Sequence, residues 1–508
     1  MLSVKTFNPL HRRPDDVCPL RRPKEKTPRR VLLLRDEFKY FELSPHRAIY
    51  IYVIHGLTGR LFQHAFFPSS LASAPAERAS RDMRVVTPQI AWHGKLPIFS
   101  CDFNPSTGIL ATAGADKEVK LWRVTTSSDG DAVVEHAQDL TNHTASVNTA
   151  RFSPDGARLA TCGDRGEIIV WRETADASRW QPAQSLRGHA EDVLAVDWSR
   201  ANADALASCS VDNTTMLWNV DSGRCSHRFD AHSHYAQGVA CDPRGEYVVD
   251  ASADKSCRAY RDAGAKRGVA LGGATFHDDT LASFFRRCEW SPDGSFVLCP
   301  AGTYTRPGAT KASNATFAYA RGRFDAPALL LPGGDTPSVC VRFNPVFYKH
   351  RDGYNASSAG ASALLTDLPY RFVFAVCGIE GVAIYDTDET NPIAMVSAIH
   401  YAAITDCAWS SDGTCLVVTS TDGYASMITF DADELGERAS AEDVPADVAP
   451  MLPTARVSAA VERLARKPAA ATATATVMQA PVRAKAPIDT TAPAAAQIRR
   501  VAPTPMTD

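Results

Sequence analysis

The sequence of 508 residues predicts an all-β fold, a seven-bladed β-propeller with a disordered extension at each end. A short turn motif recurs seven times between residues 83 and 438, a β-rich run follows each copy, and an aromatic residue closes each unit. One such unit forms a small antiparallel sheet, which cannot bury its own apolar faces. Neighbouring units are therefore expected to pack side by side and to close into a ring.

Charge is distributed unevenly along the chain. Residues 1–82 hold 15 Lys and Arg against 8 Asp and Glu, whereas residues 83–438 hold 31 against 43. We expect residues 1–82 to be a basic, poorly ordered extension, although the apolar composition of residues 31–67 is compatible with strands. The acidic body disfavours direct DNA binding and favours basic partners. No apolar stretch of the sequence reaches the length of about 20 residues that spans a bilayer.

Residues 83–436 contain the repeat units. In each turn motif an aromatic or apolar residue precedes Ser, Asn or Asp, often with Pro and Asp-Gly, which favours a tight turn between two strands. Residues 83–90 are expected to complete the seventh blade as its outer strand. Residues 303–315 and 346–369 are expected to emerge as insertions. The motifs begin at Phe103, Phe152, Trp198, Cys241, Trp290, Phe343 and Trp409, and the closing aromatic residues are Trp122, Trp171, Trp218, Tyr260, Tyr319, Tyr385 and Phe430.

Histidine and aspartate recur at fixed places in the units. Each of three aspartates stands six residues before a closing aromatic, which places it in the following hairpin turn. Each of three histidines precedes the first strand of its unit, where its imidazole can bond such an aspartate. This pattern is that of WD-repeat propellers, so these residues are predicted to be structural: Asp116, Asp212, Asp254, His143, His189 and His232. Blade two carries Arg165 at the aspartate position and is expected to hold its turn differently.

No catalytic motif is present in the sequence. It contains no phosphate-binding glycine loop, no H-E-x-x-H, no G-x-S-x-G and no C-x-x-C pair. Most of the thiols occur singly in apolar runs, as is typical of a reduced compartment. We therefore predict a protein that is not an enzyme and has no catalytic residue, cofactor or metal site.

Residues 276–287 (FHDDTLASFFRR) do not fit the generic repeat. They combine acidic residues, paired aromatics and an arginine pair, which is the composition of a docking surface. The alternative is that the two phenylalanines belong to the core and that the arginines are solvated. The candidate partner surface comprises His277, Asp278, Asp279, Phe284, Phe285, Arg286 and Arg287.

The C-terminal region lacks aromatic residues and is rich in Ala and Pro. Residues 437–497 are predicted to be a disordered linker, because they cannot bury enough apolar surface to offset chain entropy. Residues 498–506 (IRRVAPTPM) form a candidate linear motif, in which an extended peptide adds to a partner's sheet edge. The alternative is an ordinary basic tail. The motif residues are Arg499, Arg500, Val501, Pro503 and Pro505.

Several segments are more specific than a generic propeller. They are residues 90–93 (IAWH), 186–193 (LRGHAEDV), 210–214 (SVDNT), 276–287, 368–376 (LPYRFVFAV), 420–424 (STDGY) and 433–436 (DELG). In these segments the chain resembles the WD-repeat middle subunits of chromatin assembly factor 1, and the resemblance resumes at the C-terminal motif. These family members usually begin near the position of Met83, so residues 1–82 depart from the pattern.

The resemblance implies a nuclear scaffold in a three-subunit histone chaperone. That complex deposits newly made core histones three and four during replication- and repair-coupled nucleosome assembly. The implied partners are the large subunit, the small WD-repeat histone-binding subunit, the anti-silencing histone chaperone at residues 499–505, and the histones themselves, directly or indirectly. Sequence-specific DNA binding and membrane association are not implied.

Two other kinds of propeller protein remain alternatives. One is the WD subunit of the replication-independent histone regulatory complex, which shares the fold and the Arg-Arg motif. The other is a propeller that serves as the substrate receptor of a ubiquitin ligase. Proteins that co-purify with the chain would separate these alternatives.

Overall fold

The structure is a computed structural model that describes residues 40–42, 48–53, 83–126, 132–174, 179–261, 268–306, 308–351, 354, 368–389, 391–431 and 433–453. Within these residues it is an all-β ring of seven antiparallel sheets, with only two short 3₁₀ helices, at Asp164–Gly166 and Ala449–Met451. The predicted seven-bladed propeller is confirmed. The aromatic and aliphatic residues of each repeat lie between neighbouring blades, so the core is a series of packed layers around the ring.

The first three blades have four strands each, ordered from the centre of the ring outwards. Their β-rich runs form the second strand, in which every residue after the first is buried. Blade one consists of Ile98–Phe103, Ile109–Gly114, Val119–Thr126 and Ala132–Leu140; blade two of Val147–Phe152, Arg158–Gly163, Ile168–Glu173 and Trp180–Leu186; and blade three of Val193–Trp198, Ala205–Ser210, Thr215–Asn219 and Arg224–Phe229.

The remaining blades keep this order, but blade five has a broken inner edge made of two short strands. Blade four consists of Ala236–Cys241, Tyr247–Ser252, Cys257–Arg261 and Val269–Ala270; blade five of Thr275–Phe276, Glu289–Trp290, Phe296–Tyr304, Ser313–Ala320 and Leu329–Pro332; blade six of Ser338–Phe343, Val373–Gly378, Gly381–Asp386 and Ala394–Ser397; and blade seven of Ile404–Trp409, Cys415–Ser420, Ala425–Thr429 and Arg84–Val86.

The turn motif folds as its residues predict. In blade two the hydroxyl of Ser153 accepts a bond from the amide of Arg158 at 2.9 Å, and the amide of Gly156 donates to the carbonyl of Ser153 at 2.7 Å. Gly156 has φ +69°, a left-handed conformation that glycine adopts without steric cost. The motif therefore fixes a tight connection between the first and second strands of the blade.

The ring closes through the strand that precedes the first repeat. Arg84–Val86 pairs with Ala425–Thr429, with Val85 opposite Ile428. Met83 and Val85 are buried in the core between blades six and seven. The predicted completion of blade seven by this segment is thus confirmed, and the closure joins the two ends of the repeat region.

Part of the N-terminal extension adds to blade six. Tyr40–Glu42 pairs with Ala48–Val53, and Ala48–Val53 pairs in turn with the outer strand Ala394–Ser397. Blade six therefore has six strands. The backbone of this apolar stretch covers a sheet edge that would otherwise be unpaired.

The packed structure continues beyond residue 436, where the sequence analysis places the start of a disordered linker. Val444, Val448 and Leu452 are buried in one cluster with Phe347 and Tyr370. These apolar side chains recur every fourth residue, and that spacing lets a short irregular segment cover blades five and six. Residues 437–453 therefore belong to the propeller body and correct the predicted boundary.

Candidate partner-binding site

The histidine and aspartate side chains of the repeats meet on one face of the ring, here called the His–Asp face. In blade three, His189 Nδ1 lies 3.0 Å from Asp212 and Nε2 lies 2.7 Å from the hydroxyl of Ser208. The indole N–H of Trp218 donates to the same hydroxyl at 2.8 Å. Blade one repeats the arrangement, with 2.7 Å between His93 and Asp116. Each network ties a loop between blades to a hairpin turn.

Blade two holds its turn in another way. His143 Nε2 lies 2.7 Å from the hydroxyl of Thr161, and its Nδ1 lies 3.5 Å from Glu167. Burial lowers the pKa of His143 to about 4. Asp164, next to Arg165, instead accepts a bond from Asn148 at 3.0 Å. The glutamate thus partly replaces the missing aspartate.

Blade four places its histidine between two carboxylates. His232 Nδ1 lies 2.8 Å from Asp254, and Nε2 lies 2.7 Å from Asp250, where blades one to three have a hydroxyl. Although burial alone would lower it, the two carboxylates raise the pKa of His232 to about 9. The imidazole is therefore a buried cation at neutral pH. Sequence analysis missed Asp250, although the single acidic residue in the strand run YVVDAS was a signal available in the sequence.

The segment 276–287 lies on the His–Asp face, but its arginines are buried. The guanidinium of Arg286 donates to the carbonyls of Ser252, His277 and Asp278. Arg286 and Arg287 are both no more than 2% exposed. Neither the predicted contact with a partner nor the alternative of a solvated pair fits this burial. Arg286 instead fastens the segment to blade four, and Arg287 fastens it to blades one and two.

Arg287 reaches into the centre of the ring. Its guanidinium donates to the hydroxyl of Thr149 at 2.6 Å and lies 4.2 Å from the centroid of the Phe285 ring, which is also buried. It joins Arg151 and Arg342 around the fully buried Asp406, with N–O distances from 2.7 to 3.6 Å. Asp406 stands in the otherwise apolar run ITDCAW, and that isolated charge was the signal available in the sequence.

Four members of the predicted surface remain near solvent. His277 Nε2 lies 3.0 Å from the side chain of Asn314, and Asp278 pairs with Lys255 at 3.0 Å. Asp279 lies 3.7 Å from His234, with most of its side chain exposed. Phe284 is 67% exposed. The candidate partner surface is therefore limited to His277, Asp278, Asp279 and Phe284.

The opposite face contains a cavity of about 730 Å³ at the ends of the inner strands. In its wall, Asp102, Asp197 and Glu289 each accept a bond of 2.7 Å from a backbone N–H of the next blade. Burial raises the pKa of Asp102 and Asp197 to about 6 and that of Glu289 to about 8. Because each carboxylate is bonded to a neighbouring blade, we interpret the three as clamps between blades.

Two features are absent from the described residues: a metal-binding cluster and a helix that could cross a membrane. Across the described ranges, no group of three or more His, Cys, Asp or Glu side chains is placed to hold a metal ion. The described part of the chain also has no helix that is long and apolar enough to cross a membrane. The C-terminal motif, Arg499 to Pro505, lies outside the described residues.

Comparison with known proteins places this geometry in context. The family model described as the CAF1B/HIR1 beta-propeller domain matches residues 83–435. A relative from Gallus gallus, named as a subunit of chromatin assembly factor 1, is 36% identical over 392 residues, which cover 70% of this chain and 69% of that protein. The chromatin assembly factor 1 subunit FAS2 homolog of Oryza sativa subsp. japonica is 37% identical, covering 70% and 74%. Protein HIR1 of Kluyveromyces lactis is 27% identical, covering 68% and 42%.

Proposed function

The chain belongs to the CAF1B/HIR1 β-propeller family, and on this premise we propose that it is the non-catalytic scaffold subunit of a nuclear histone chaperone complex. The complex deposits newly made core histones three and four on DNA during replication- and repair-coupled nucleosome assembly. The propeller body holds the other subunits, and no cofactor takes part.

The extent of the similarity carries this proposal. The relatives named as chromatin assembly factor 1 subunits from chicken and rice align with about 70% of this chain and with most of their own length. The HIR1 relative from Kluyveromyces lactis has lower identity and aligns over 42% of its length. This difference in identity and coverage favours the replication-coupled complex. The replication-independent histone regulatory complex remains the second candidate.

The arrangement of polar groups supports a scaffold. Each His–Asp pair joins a loop between blades to a hairpin turn. The acidic side chains in the cavity wall accept hydrogen bonds from neighbouring blades. These groups stabilise the ring and leave its loops to contact proteins. A rigid ring with variable loops is a common platform for assembling several partners.

The proposed partners divide between the propeller and the tail. The large subunit and the small WD-repeat subunit are assigned to the propeller. The anti-silencing histone chaperone is assigned to the tail, where Arg499 and Arg500 pair with acidic groups, and Val501, Pro503 and Pro505 occupy shallow apolar pockets.

Affinity purification of the full chain from dividing cells, followed by mass spectrometry, tests the proposal. We expect the large and small subunits, core histones three and four and the anti-silencing chaperone in the eluate. Recovery of the replication-independent complex without the large subunit would support the second candidate. Recovery of a ubiquitin-ligase adaptor in place of chaperone subunits would contradict both.

A further inference from the structure

Three exposed apolar side chains, here called the apolar cluster, lie on the His–Asp face. Among the described residues, the two most exposed large apolar side chains are Tyr401 and Phe284, at 73% and 67%. Leu96, at 46%, lies on the same face. Leu96 and Tyr401 stand in loops that connect one blade to the next, and Phe284 stands in the loop between the two short inner strands of blade five. Exposed apolar groups gathered on one face are typical of an interaction site.

Contacts beneath these side chains bring them together. The amide of Tyr401 donates to Asp422 at 2.9 Å, and the adjoining Gly423 packs against the backbone of Leu96. On the other side, the ring of Phe285 lies 5.9 Å from that of Phe99, three residues beyond Leu96. Leu96 and Tyr401 therefore flank one turn, and Phe284 adjoins the ring pair that links its loop to blade one.

The loop that carries Phe284 is held firmly from below. The hydroxyl of Ser283 accepts a bond from the amide of Phe285 at 3.1 Å, and the amide of Arg287 donates to the carbonyl of Val339 at 2.9 Å. The buried Arg286 bonds three carbonyls around it. An aromatic side chain on a fixed loop loses little conformational entropy when a partner covers it, which is the property of an interface anchor.

The surroundings of the cluster are acidic. The loops between blades, the loop between the two short inner strands of blade five and the turns between second and third strands on this face hold 14 Asp and Glu against 7 Lys and Arg, leaving aside the buried Arg286 and Arg287. Asp278 and Asp279 lie in the same loop as Phe284. Lysine and arginine side chains pair with carboxylates and stack on aromatic rings, whereas the phosphates of DNA are repelled. The surface therefore fits a basic polypeptide.

We propose that the cluster Leu96, Phe284 and Tyr401, with its acidic surroundings, docks a lysine- and arginine-rich segment of a core histone. This inference rests on the proposed function and adds to it a direct contact and a face of the propeller. The aromatic rings stack on the basic side chains, and Asp278 and Asp279 pair with their charges. The chain's own basic residues 1–82 are the competing occupant.

Titration of the full chain alone with a fluorescently labelled dimer of core histones three and four tests the proposal. We expect Phe284→Ala and Asp279→Lys each to weaken binding by tenfold or more, with unchanged thermal unfolding, because both side chains are largely exposed. Val269→Ala, which alters an exposed apolar residue on the outer strand of blade four, is the matched control and should bind like the wild type.

Equal affinity of the wild type and Phe284→Ala would overturn the proposal. An affinity that rises on removal of residues 1–82 in the wild type but not in Phe284→Ala would support the docking surface, since the histone and the chain's own extension would then compete for it. A chain that assembles with the large and small subunits yet does not bind the histone dimer would refute the docking surface and leave the proposed function standing. Failure to assemble would refute the proposed function itself.

Discussion

A histidine at one position of the repeat meets different chemical surroundings in neighbouring blades. His189 faces a hydroxyl and one carboxylate, His143 faces a hydroxyl and a more distant glutamate, and His232 faces two carboxylates. The pKa values of His143 and His232 therefore move in opposite directions, to about 4 and about 9. A shared geometry can thus hold a neutral imidazole in one blade and a cation in another.

The environment of His232 predicts a pH dependence of stability. Because its pKa is raised above the value of 6.5 in the unfolded chain, the stabilisation is complete below pH 6.5 and is lost as the pH rises through about 9. We expect the free energy of unfolding to fall by up to about 3 kcal/mol over this range. Asp250→Ser, which introduces the hydroxyl that blades one to three have at this position, should flatten this part of the profile. Urea unfolding at several pH values measures it.

Thr215→Val is the matched control for this experiment. It removes the bond of 2.7 Å that the threonine hydroxyl donates to Asp250 but leaves the histidine between its carboxylates. The variant should lose stability by a similar amount at every pH. A slope between pH 6.5 and 9 that persists in Asp250→Ser would contradict the assignment.

Sequence reasoning at the residue scale succeeded where spacing was informative. The six-residue interval before the closing aromatic located Asp116, Asp212 and Asp254 in hairpin turns. The same reasoning could not place Arg286 and Arg287, because their partners are backbone carbonyls and side chains distant in the sequence. An arginine pair beside aromatics has the same composition whether it faces solvent or the centre of a ring.

At the scale of strands and loops, the closure strand and the N-terminal pairing differ in importance. Arg84–Val86 completes blade seven, and Met83 and Val85 fill the core. Ala48–Val53 adds only to the outside of blade six. We therefore expect the closure strand Arg84–Val86 to contribute more to the stability of the ring than the added edge strand Ala48–Val53.

Two truncations separate these contributions. Removal of residues 1–82 should cause a small fall in melting temperature, because only an outer edge is uncovered. Removal of residues 1–87 should cost roughly 3–6 kcal/mol more, from the loss of two buried apolar side chains at about 1.5–3 kcal/mol each. Thermal unfolding of both forms, with hydrogen exchange of blades six and seven, measures the difference. Equal melting temperatures would show that the closure strand is dispensable.

Local sequence signals predicted the regular strands and turns, but they did not predict the packing of the irregular segment. Turn motifs and closing aromatics repeat seven times, so each occurrence supports the others. Residues 437–453 lack strands, and their composition suggested a linker. Their apolar residues Val444, Val448 and Leu452 find a partner only where the ring presents Phe347 and Tyr370. Such packing depends on tertiary structure that the segment itself does not encode.

In the whole molecule, we assign separate roles to the propeller and to the tail. The tail prediction concerns Arg499→Ala combined with Arg500→Ala. Each charge-assisted bond contributes about 1.5–3 kcal/mol, so losing both should weaken binding of the anti-silencing chaperone by roughly a hundredfold or more. Titration of that chaperone with wild-type and substituted tail peptides measures this change.

Pull-down of the full-length variants provides the control for the tail. The doubly substituted chain should retain the large subunit, since that contact is assigned to the propeller. Equal affinity of the two peptides would remove the docking role from the motif. Loss of the large subunit together with the chaperone would mean that the tail also contributes to assembly of the complex.

Histone deposition on newly replicated DNA is the direct test of the proposed scaffold function. The complex would be reconstituted from the large and small subunits, with and without this chain, and nucleosome formation would be followed on replicated and non-replicated plasmids in one reaction. We expect deposition of core histones three and four on the replicated plasmid to require the full chain and to be selective for that plasmid. Equal deposition without the chain, or deposition restored only on non-replicated DNA, would contradict this expectation.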